Sequence, residues 1–458
     1  MKKFYLTTSI AYVNAPPHIG FAQELLATDI IARYWRKKGR DVFFLTGTDE
    51  HGAKIENAAK QVGMTEREFT DKMSEKFKSL TKLLNLTNDD FIRTTEQRHI
   101  QIAQKLWQAC DKNGDIYKKR YKGLYCVGCE SFISRGALVN GLCPNHKTKP
   151  EEVEEENYFF ALSKYTSRIL KLLEENLEFV QPQSRYNEIK SLCKAGLEDI
   201  SISRPKEKLS WGISVPDDPS QVMYVWFDAL SNYLNVKDYW PAQLHIIGKD
   251  ILRFHAALWP AMLMSASEKL PEKIYVHGFI SVEGQKMSKS LGNVIYPQDL
   301  IDKFGTDATR YLLMAGLNFD QDSDFSYERF SKKYNTDLAN DLGNLVQRTL
   351  TMAKKYNFDP EHTEAIESKE TDQFIEKLSF KQALESIFKI VIAANQYIDK
   401  EKPWDLTEDN KKLEEVLTNL FESLKSIARD LSPFMPATAE QIEKQISTLN
   451  PKPLFPKI

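Results

Sequence analysis

No apolar run in these 458 residues approaches the length of a membrane span, and Thr7, Thr8 and Ser9 interrupt what would have to be the core of an N-terminal secretory signal. A mature cytoplasmic protein with no membrane partner is therefore expected. Cysteine is scarce: there are five, an odd count, and three cluster beside a histidine. That favours reduced thiols and a metal over a disulfide framework. Excess charge is missing too. Lys+Arg 62 against Asp+Glu 64 gives a net charge of -2, so a polyanionic partner would have to be met by local basic patches. No internal repeat and no low-complexity tail is present. What remains, 42% hydrophobic and 28% charged, describes an ordinary globular chain long enough for two or three domains.

The stretch Phe4 to Glu24, FYLTTSIAYVNAPPHIGFAQE, organises the rest. Phe4, Leu6, Thr8 and Ile10 alternate as in a strand, and Pro16-Pro17 stops any regular ladder. From His18 onward the apolar period lengthens through Ile19, Ala22, Leu26 and Ile30, and Lys37-Lys38-Gly39 gives a basic last turn and a stop. His18-Ile19-Gly20-Phe21 thus opens a helix directly after a strand. A helix start offers unpaired N–H groups, and a glycine there lets a phosphate or a flat base approach the backbone. Alone this is a weak signal. Lys286-Met287-Ser288-Lys289-Ser290, followed by Leu291-Gly292-Asn293, adds two lysines three residues apart in a glycine-flanked segment, suited to following charge along a polyphosphate.

Val42 to Leu45 reads as a buried parallel strand, followed by the loop Gly47-Thr48-Asp49-Glu50-His51-Gly52. Asp49 suits equally a helix N-cap before Ala53 and a substrate contact. Residues 53 to 112 read as helices with little strand character. From Tyr117 to Gln183 short β-like pieces suggest an insertion between two halves of a sheet, with Glu151 to Glu156 as a solvated face. Within it, Cys126-x2-Cys129 and Cys143-x2-His146 form two arms able to place four ligands on one tetrahedral ion; unliganded thiols in a loop are the alternative. Cys110 and Cys193 lie in helical patterns and read as small core residues.

Leu244 to Asp250 reads as a strand ending in Gly-x-Asp, a plausible ribose site. On periodicity alone Trp226 and Tyr233 are core. After residue 330 the pattern is helical, with amphipathic stretches at Asp337–Met352, Gln382–Ile398 and Leu413–Ile442.

The His18 and Lys286–Ser290 stretches, in this order, resemble the paired signatures of class I aminoacyl-tRNA synthetases. Tyr12-Val13-Asn14, Gly47 to Gly52, Val225 to Ala229, Ile247-Gly248-Lys249-Asp250 with His255, and Val276-His277-Gly278 extend the resemblance over the whole chain, to methionyl-tRNA synthetases of the single-zinc-knuckle type without an appended C-terminal domain. The resemblance implies an α/β fold: a Rossmann-type catalytic domain in two halves (1–116 and 204–280), a connective insertion with the zinc knuckle (117–203), the lysine loop and linker (281–332), and an all-α helical anticodon-binding domain (333–458).

It also implies roles. His18, Lys286 and Lys289 would be catalytic. Gly20, Glu24, Gly248, Asp250, Ile280 and Lys289 would surround ATP and its Mg2+. Ile10, Tyr12, Asp49, Trp226, Ala229, Leu230, Tyr233, Ile251 and His255 would receive L-methionine, with Asp49 on the ammonium group. Arg204 would hold that region together. Cys126, Cys129, Cys143 and His146 would bind one structural Zn2+, and Asn344, Arg348 and Trp404 would read the anticodon of tRNA(Met), initiator included. The expected protein is a monomeric ligase. One departure stands out: Phe21 occupies the fourth signature position, where the family usually has a second histidine. That shifts phosphate contacts onto His18 and the lysines, or packs Phe21 under the helix start.

Overall fold

The computed structural model describes residues 2–126, 131–133, 135–144, 147–287, 292–406 and 410–458. The chain forms two compact units: Met1–Pro17, Asp41–Leu80 and Asn88–Val276 make the first, and His18–Arg40, Thr81–Thr87 and His277–Ile458 the second.

The first unit is built on a seven-stranded sheet. Lys3–Thr8 pairs in parallel with Asp41–Asp49 on one side and Leu244–Gly248 on the other. The sheet continues from Leu244–Gly248 through Ile274–His277 to Val180–Gln181. Phe4 to Thr8 are buried without alternation, the mark of a parallel strand covered on both faces. The strand ends at Thr8, short of Ile10, and Ala11–Tyr12 resumes the pairing further along Asp41–Asp49. Growth of the sheet reverses at Lys3–Thr8, so the carboxyl ends of its two neighbours, Asp49 and Gly248, flank a topological switch point.

Two local expectations need correction. Residues 53 to 112 are not all helical: Asp90–Arg93 is a parallel strand beside Leu45–Thr48, too short to interrupt the helical periodicity around it. The insertion is not made of short pieces. Ile116–Cys126 and Glu151–Phe160 form one long antiparallel ribbon, with Lys122 opposite Glu154 and Arg120 opposite Glu156. Two glutamates of the acidic run thus face cations across the ribbon, while Glu151, Glu152 and Glu155 face Tyr125, Leu124 and Tyr121. The glutamates of the run remain largely solvated, as expected. Cys110 and Cys193 are buried in helices, and burial pushes their thiols up to about 12 and about 11, which leaves them inert.

The second unit joins the helix Ile19–Lys37 to the C-terminal helices. Ile19–Lys37 ends on Arg36 and Lys37, cations that suit a helix C-terminus. Its Asp29 is fully buried against Arg310, whose guanidinium also donates to the carbonyls of Leu84, Pro433 and Phe434 at 2.7–2.8 Å. Burial alone would raise the Asp29 carboxyl, but Arg310 and Arg33 outweigh it and hold it below the usual carboxylate range. Lys38 pairs with Asp372, and the Tyr34 hydroxyl donates to Glu376, tying the same helix to Lys369–Glu376.

The helices Gly343–Tyr356, Phe380–Glu401, Asn410–Leu431 and Pro436–Thr448 form the bundle. Phe380, Ala383, Leu384, Ile387, Val391, Ala394 and Ile398 supply a single apolar stripe at helical spacing. Lys402, left-handed at φ 46, and Pro403 then end that helix. Among the described residues no helix is long and apolar enough to cross a membrane.

Candidate active site

In the first unit, the loop after Asp41–Asp49 is pinned from several sides. Arg93 clamps the Glu50 carboxylate through two hydrogen bonds at 2.7 and 2.9 Å, and Thr48 and Thr95 donate to the same carboxylate. The Trp211 indole N–H donates to the Glu50 carbonyl at 2.5 Å. Asp49 itself is 6% exposed and lies opposite Tyr12 in the ladder, with Val13 N–H donating to its carbonyl. Two of the residues expected in the methionine site are therefore adjacent because two strands pair.

Two of the aromatic residues expected to line that site, Trp226 and Tyr233, sit on one core cluster. Val225–Leu230 carries Trp226, Ala229 and Leu230, and Trp226 is partly buried, stacked on Phe254 with ring centres 4.0 Å apart and planes at 8°. Tyr233 is buried, its ring tilted against His255 and Trp259. His255 faces the Ile251 carbonyl through Nδ1 at 3.1 Å and the Tyr233 hydroxyl through Nε2 at 2.8 Å. A carbonyl only accepts, so Nδ1 carries the proton and Tyr233 donates to Nε2. Burial pushes the His255 pKa down to about 4, so the ring is neutral near pH 7. Ile10, half-buried, packs against the cluster of Tyr5, Leu45 and Ala242. Gly248 closes its strand, and Asp250 is exposed in the turn that follows.

Sequence reasoning missed a buried knot between these elements. Asp228, fully buried, accepts from His51 Nδ1 at 2.7 Å and His99 Nε2 at 2.5 Å. Burial alone would raise its carboxyl; the two imidazoles prevail and hold it at about 2. His51 and Asp228 both lie inside family-like motifs, but nothing in the spacing pairs them. Arg204 also acts as a tie: its guanidinium lies over the rings of Tyr125 (4.8 Å) and Tyr224 (5.4 Å) and donates to Ser201 Oγ and Ser203 O.

In the second unit, His18 caps Ile19–Lys37, its Nδ1 accepting from Gly20 N–H at 3.0 Å. The proton therefore sits on Nε2, on an exposed ring able to donate to an anion. A Cβ on Gly20 would stand 2.9 Å from His18 Cε1, so glycine is what lets the imidazole fold over the helix start. That Cβ would lie 4.0 Å from Met287 Cε, and Ile19 N–H donates to Ile295 O at 3.1 Å. Met287 and Ile295, on either side of Ser288–Leu291, thus neighbour the His18 turn. Phe21 is half-buried in the first turn.

Lys286 pairs with Ser281 in a short hairpin and rests its ammonium 5.0 Å above the Phe279 ring. Lys289 lies outside the described residues. Glu24, buried, meets His277 Nε2 at 2.8 Å, and Phe319 stacks on that imidazole. Ile280 is buried in the strand beside Lys286.

Of the metal candidates, Cys126 and Cys143 are described and Cys129 and His146 are not. Both described cysteines are 1% exposed although most of the surrounding loop is open to solvent. Lys147 N–H donates to Cys143 O and Cys143 N–H to Thr148 O, both at 2.8 Å, with Lys147 at φ 53. Among the described residues alone, no group of three His, Cys, Asp or Glu side chains could hold a metal. In the bundle, Asn344 and Arg348 lie one turn apart on Gly343–Tyr356; Arg348 pairs with Asp399 at 2.6 Å, and Trp404 is 45% exposed five residues beyond that aspartate.

Comparison with known proteins agrees with this arrangement. A family model described as tRNA synthetases class I (M) matches residues 4–152 and 136–350, and one for the anticodon-binding domain of tRNA ligase matches residues 367–455. Fold and signatures together are those of a class I aminoacyl-tRNA synthetase. Individual relatives narrow this. Methionine-tRNA ligase of Caldanaerobacter subterraneus subsp. tengcongensis is 45% identical, the match covering 97% of this chain and 74% of the relative; that of Thermotoga maritima is 44% identical over 97% and 75%. The solved Mycobacterium tuberculosis methionyl-tRNA synthetase in complex with methionyl-adenylate is 38% identical, with a TM-score of 0.90 over 100% of this chain and 98% of that one. The chain belongs to the methionine-tRNA ligase family.

Proposed function

We propose that this protein activates methionine with ATP, releasing pyrophosphate, and then transfers the methionyl group from the adenylate to the 3' end of tRNA(Met). The observation that carries this reading is that Ile19 N–H donates to Ile295 O and that Met287 lies near Gly20, so residues at the edges of the lysine stretch neighbour the helix start that bears His18.

A methionine carboxylate oxygen attacks the α-phosphorus in line; the new O–P bond forms as the bond to the β-phosphate bridging oxygen breaks. That step needs no base, only positioning and neutralisation of phosphate charge. His18 donates from Nε2, and Lys286 and Lys289 supply mobile ammonium groups. Gly20, Glu24, Gly248, Asp250 and Ile280 hold ATP, with Glu24 kept in place by His277. Magnesium bound with ATP would screen its phosphates. Asp49 takes the methionine ammonium, and the neutral His255 with Trp226, Tyr233, Ala229, Leu230, Ile251, Tyr12 and Ile10 surrounds the thioether, which favours aromatic contacts. In the second step a terminal ribose hydroxyl attacks the acyl carbon and AMP leaves.

The buried Cys126 and Cys143 would hold one structural zinc together with Cys129 and His146, four ligands that would leave no open position for catalysis. Zinc held there would tie the two cysteine-bearing arms of the insertion together. Protein purified under reducing, chelator-free conditions should contain one zinc per chain and lose it on Cys126→Ala; zinc-free wild type would refute the assignment.

Asn344, Arg348 and Trp404 read the anticodon. Stacking of a base on an aromatic is worth ~1–3 kcal/mol, so Trp404→Ala should cut aminoacylation by roughly ten- to a hundredfold while leaving amino-acid-dependent exchange near normal. Equal losses in both assays would instead make Trp404 a packing residue. The reading places a monomer in the cytoplasm.

The nearest alternative is a class I ligase for another apolar amino acid. A hydrophobic pocket separates substrates differing by one methylene only ~10- to 200-fold, so such enzymes need editing. The insertion here is instead a ribbon with two helices.

A further inference from the structure

We infer that Asp228 is a positioning residue that sets the spacing between Asp49 and the aromatic wall, and so the length of amino acid the enzyme accepts. The inference rests on the methionine-site reading above and adds a determinant of its selectivity.

Asp228 joins three segments that otherwise have no covalent reason to keep their distance. Through Oδ2 it holds His51, two residues beyond Asp49, at 2.7 Å. Through Oδ1 it holds His99, in the first turn of Gln97–Lys112, at 2.5 Å. Its own backbone belongs to Val225–Leu230, the six-residue helix that carries Trp226, Ala229 and Leu230. A helix that short has no stability of its own, so its placement is decided by tertiary contacts. Asp228, His99 and His51 are 0%, 0% and 5% exposed, so these bonds are charge-assisted contacts little diluted by solvent. Trp211 closes the other side of the loop: its indole N–H donates to Glu50 O, Gly52 N–H donates to its carbonyl, and its ring packs 5.5 Å from His51.

The ammonium anchor and the side-chain wall thus share one carboxylate, and a shift there changes the gap between them. An amide in its place keeps one oxygen and puts an NH2 donor where the other oxygen stood, so in the same geometry it accepts from only one of the two imidazoles.

The test compares wild type with Asp228→Asn in ATP–pyrophosphate exchange, using methionine and its S-ethyl homologue. The variant should raise KM for methionine about tenfold, as loss of one charge-assisted bond implies, with KM for ATP unchanged and kcat little affected. The preference for methionine over the longer homologue should narrow by a similar factor. His51→Gln, which releases the same contact from the loop side, should reproduce the narrowing and carries the test should Asp228→Asn not fold. Unchanged KM and unchanged preference, or a lower melting temperature with preference intact, would overturn the inference. Asp49→Asn separates the two levels. If it leaves KM for methionine unaltered, the methionine-site reading itself fails; if it raises KM while Asp228→Asn does not narrow the preference, only the role of Asp228 falls.

Discussion

Lys286→Ala is expected to slow methionine-dependent ATP–pyrophosphate exchange by ~100- to 1,000-fold, the usual consequence of removing one preorganised electrostatic contact to a transition state. The loss should appear in kcat, with KM for methionine nearly constant, because the ammonium meets charge that develops on the phosphates. Lys286 sits in a hairpin strand facing Ser281, and its ammonium lies over Phe279, a weak cation–π contact that an incoming triphosphate readily displaces. Lys289→Ala is expected to act likewise. Near-normal exchange in both variants would remove the lysines from the mechanism.

The second large effect is on stability. Arg310→Met should destabilise the second unit by about 3–5 kcal/mol, because it leaves the buried Asp29 carboxylate without its main partner. It also strips donors from Leu84, Pro433 and Phe434, whose carbonyls converge on that guanidinium. Urea unfolding followed by circular dichroism is the check. A change under about 1 kcal/mol would mean that Arg33, which also bonds Asp29 at 2.7 Å, suffices alone. The companion variant Asp29→Asn/Arg310→Met should recover part of the loss, since it removes the uncompensated charge as well.

Local chemistry was legible in the sequence where a motif and its function occupy neighbouring residues. His18 to Gly20 could be placed on a helix start because strand, prolines and helix follow one another within Phe4 to Glu24, and His18 does cap that helix. The bundle helices were legible from apolar spacing, as in Phe380–Glu401. What could not be read was pairing between distant residues. Asp228 meets His51 and His99 across 177 and 129 residues, and Arg310 meets Asp29 across 281. Such bonds leave no periodicity. The long ribbon of the insertion was hidden for a related reason: Lys122 and Glu154 each look like solvated surface until the two strands are laid side by side. Asp90–Arg93 was hidden by its brevity.

The proposed function depends first on the choice of amino acid, for which the aromatic wall and Asp49 are proposed to receive methionine. Exchange of labelled pyrophosphate into ATP, run with methionine, leucine and cysteine in parallel, tests it most directly. The account predicts exchange that depends on methionine and is weak or absent with the other two; activation of leucine or cysteine in preference to methionine would contradict it.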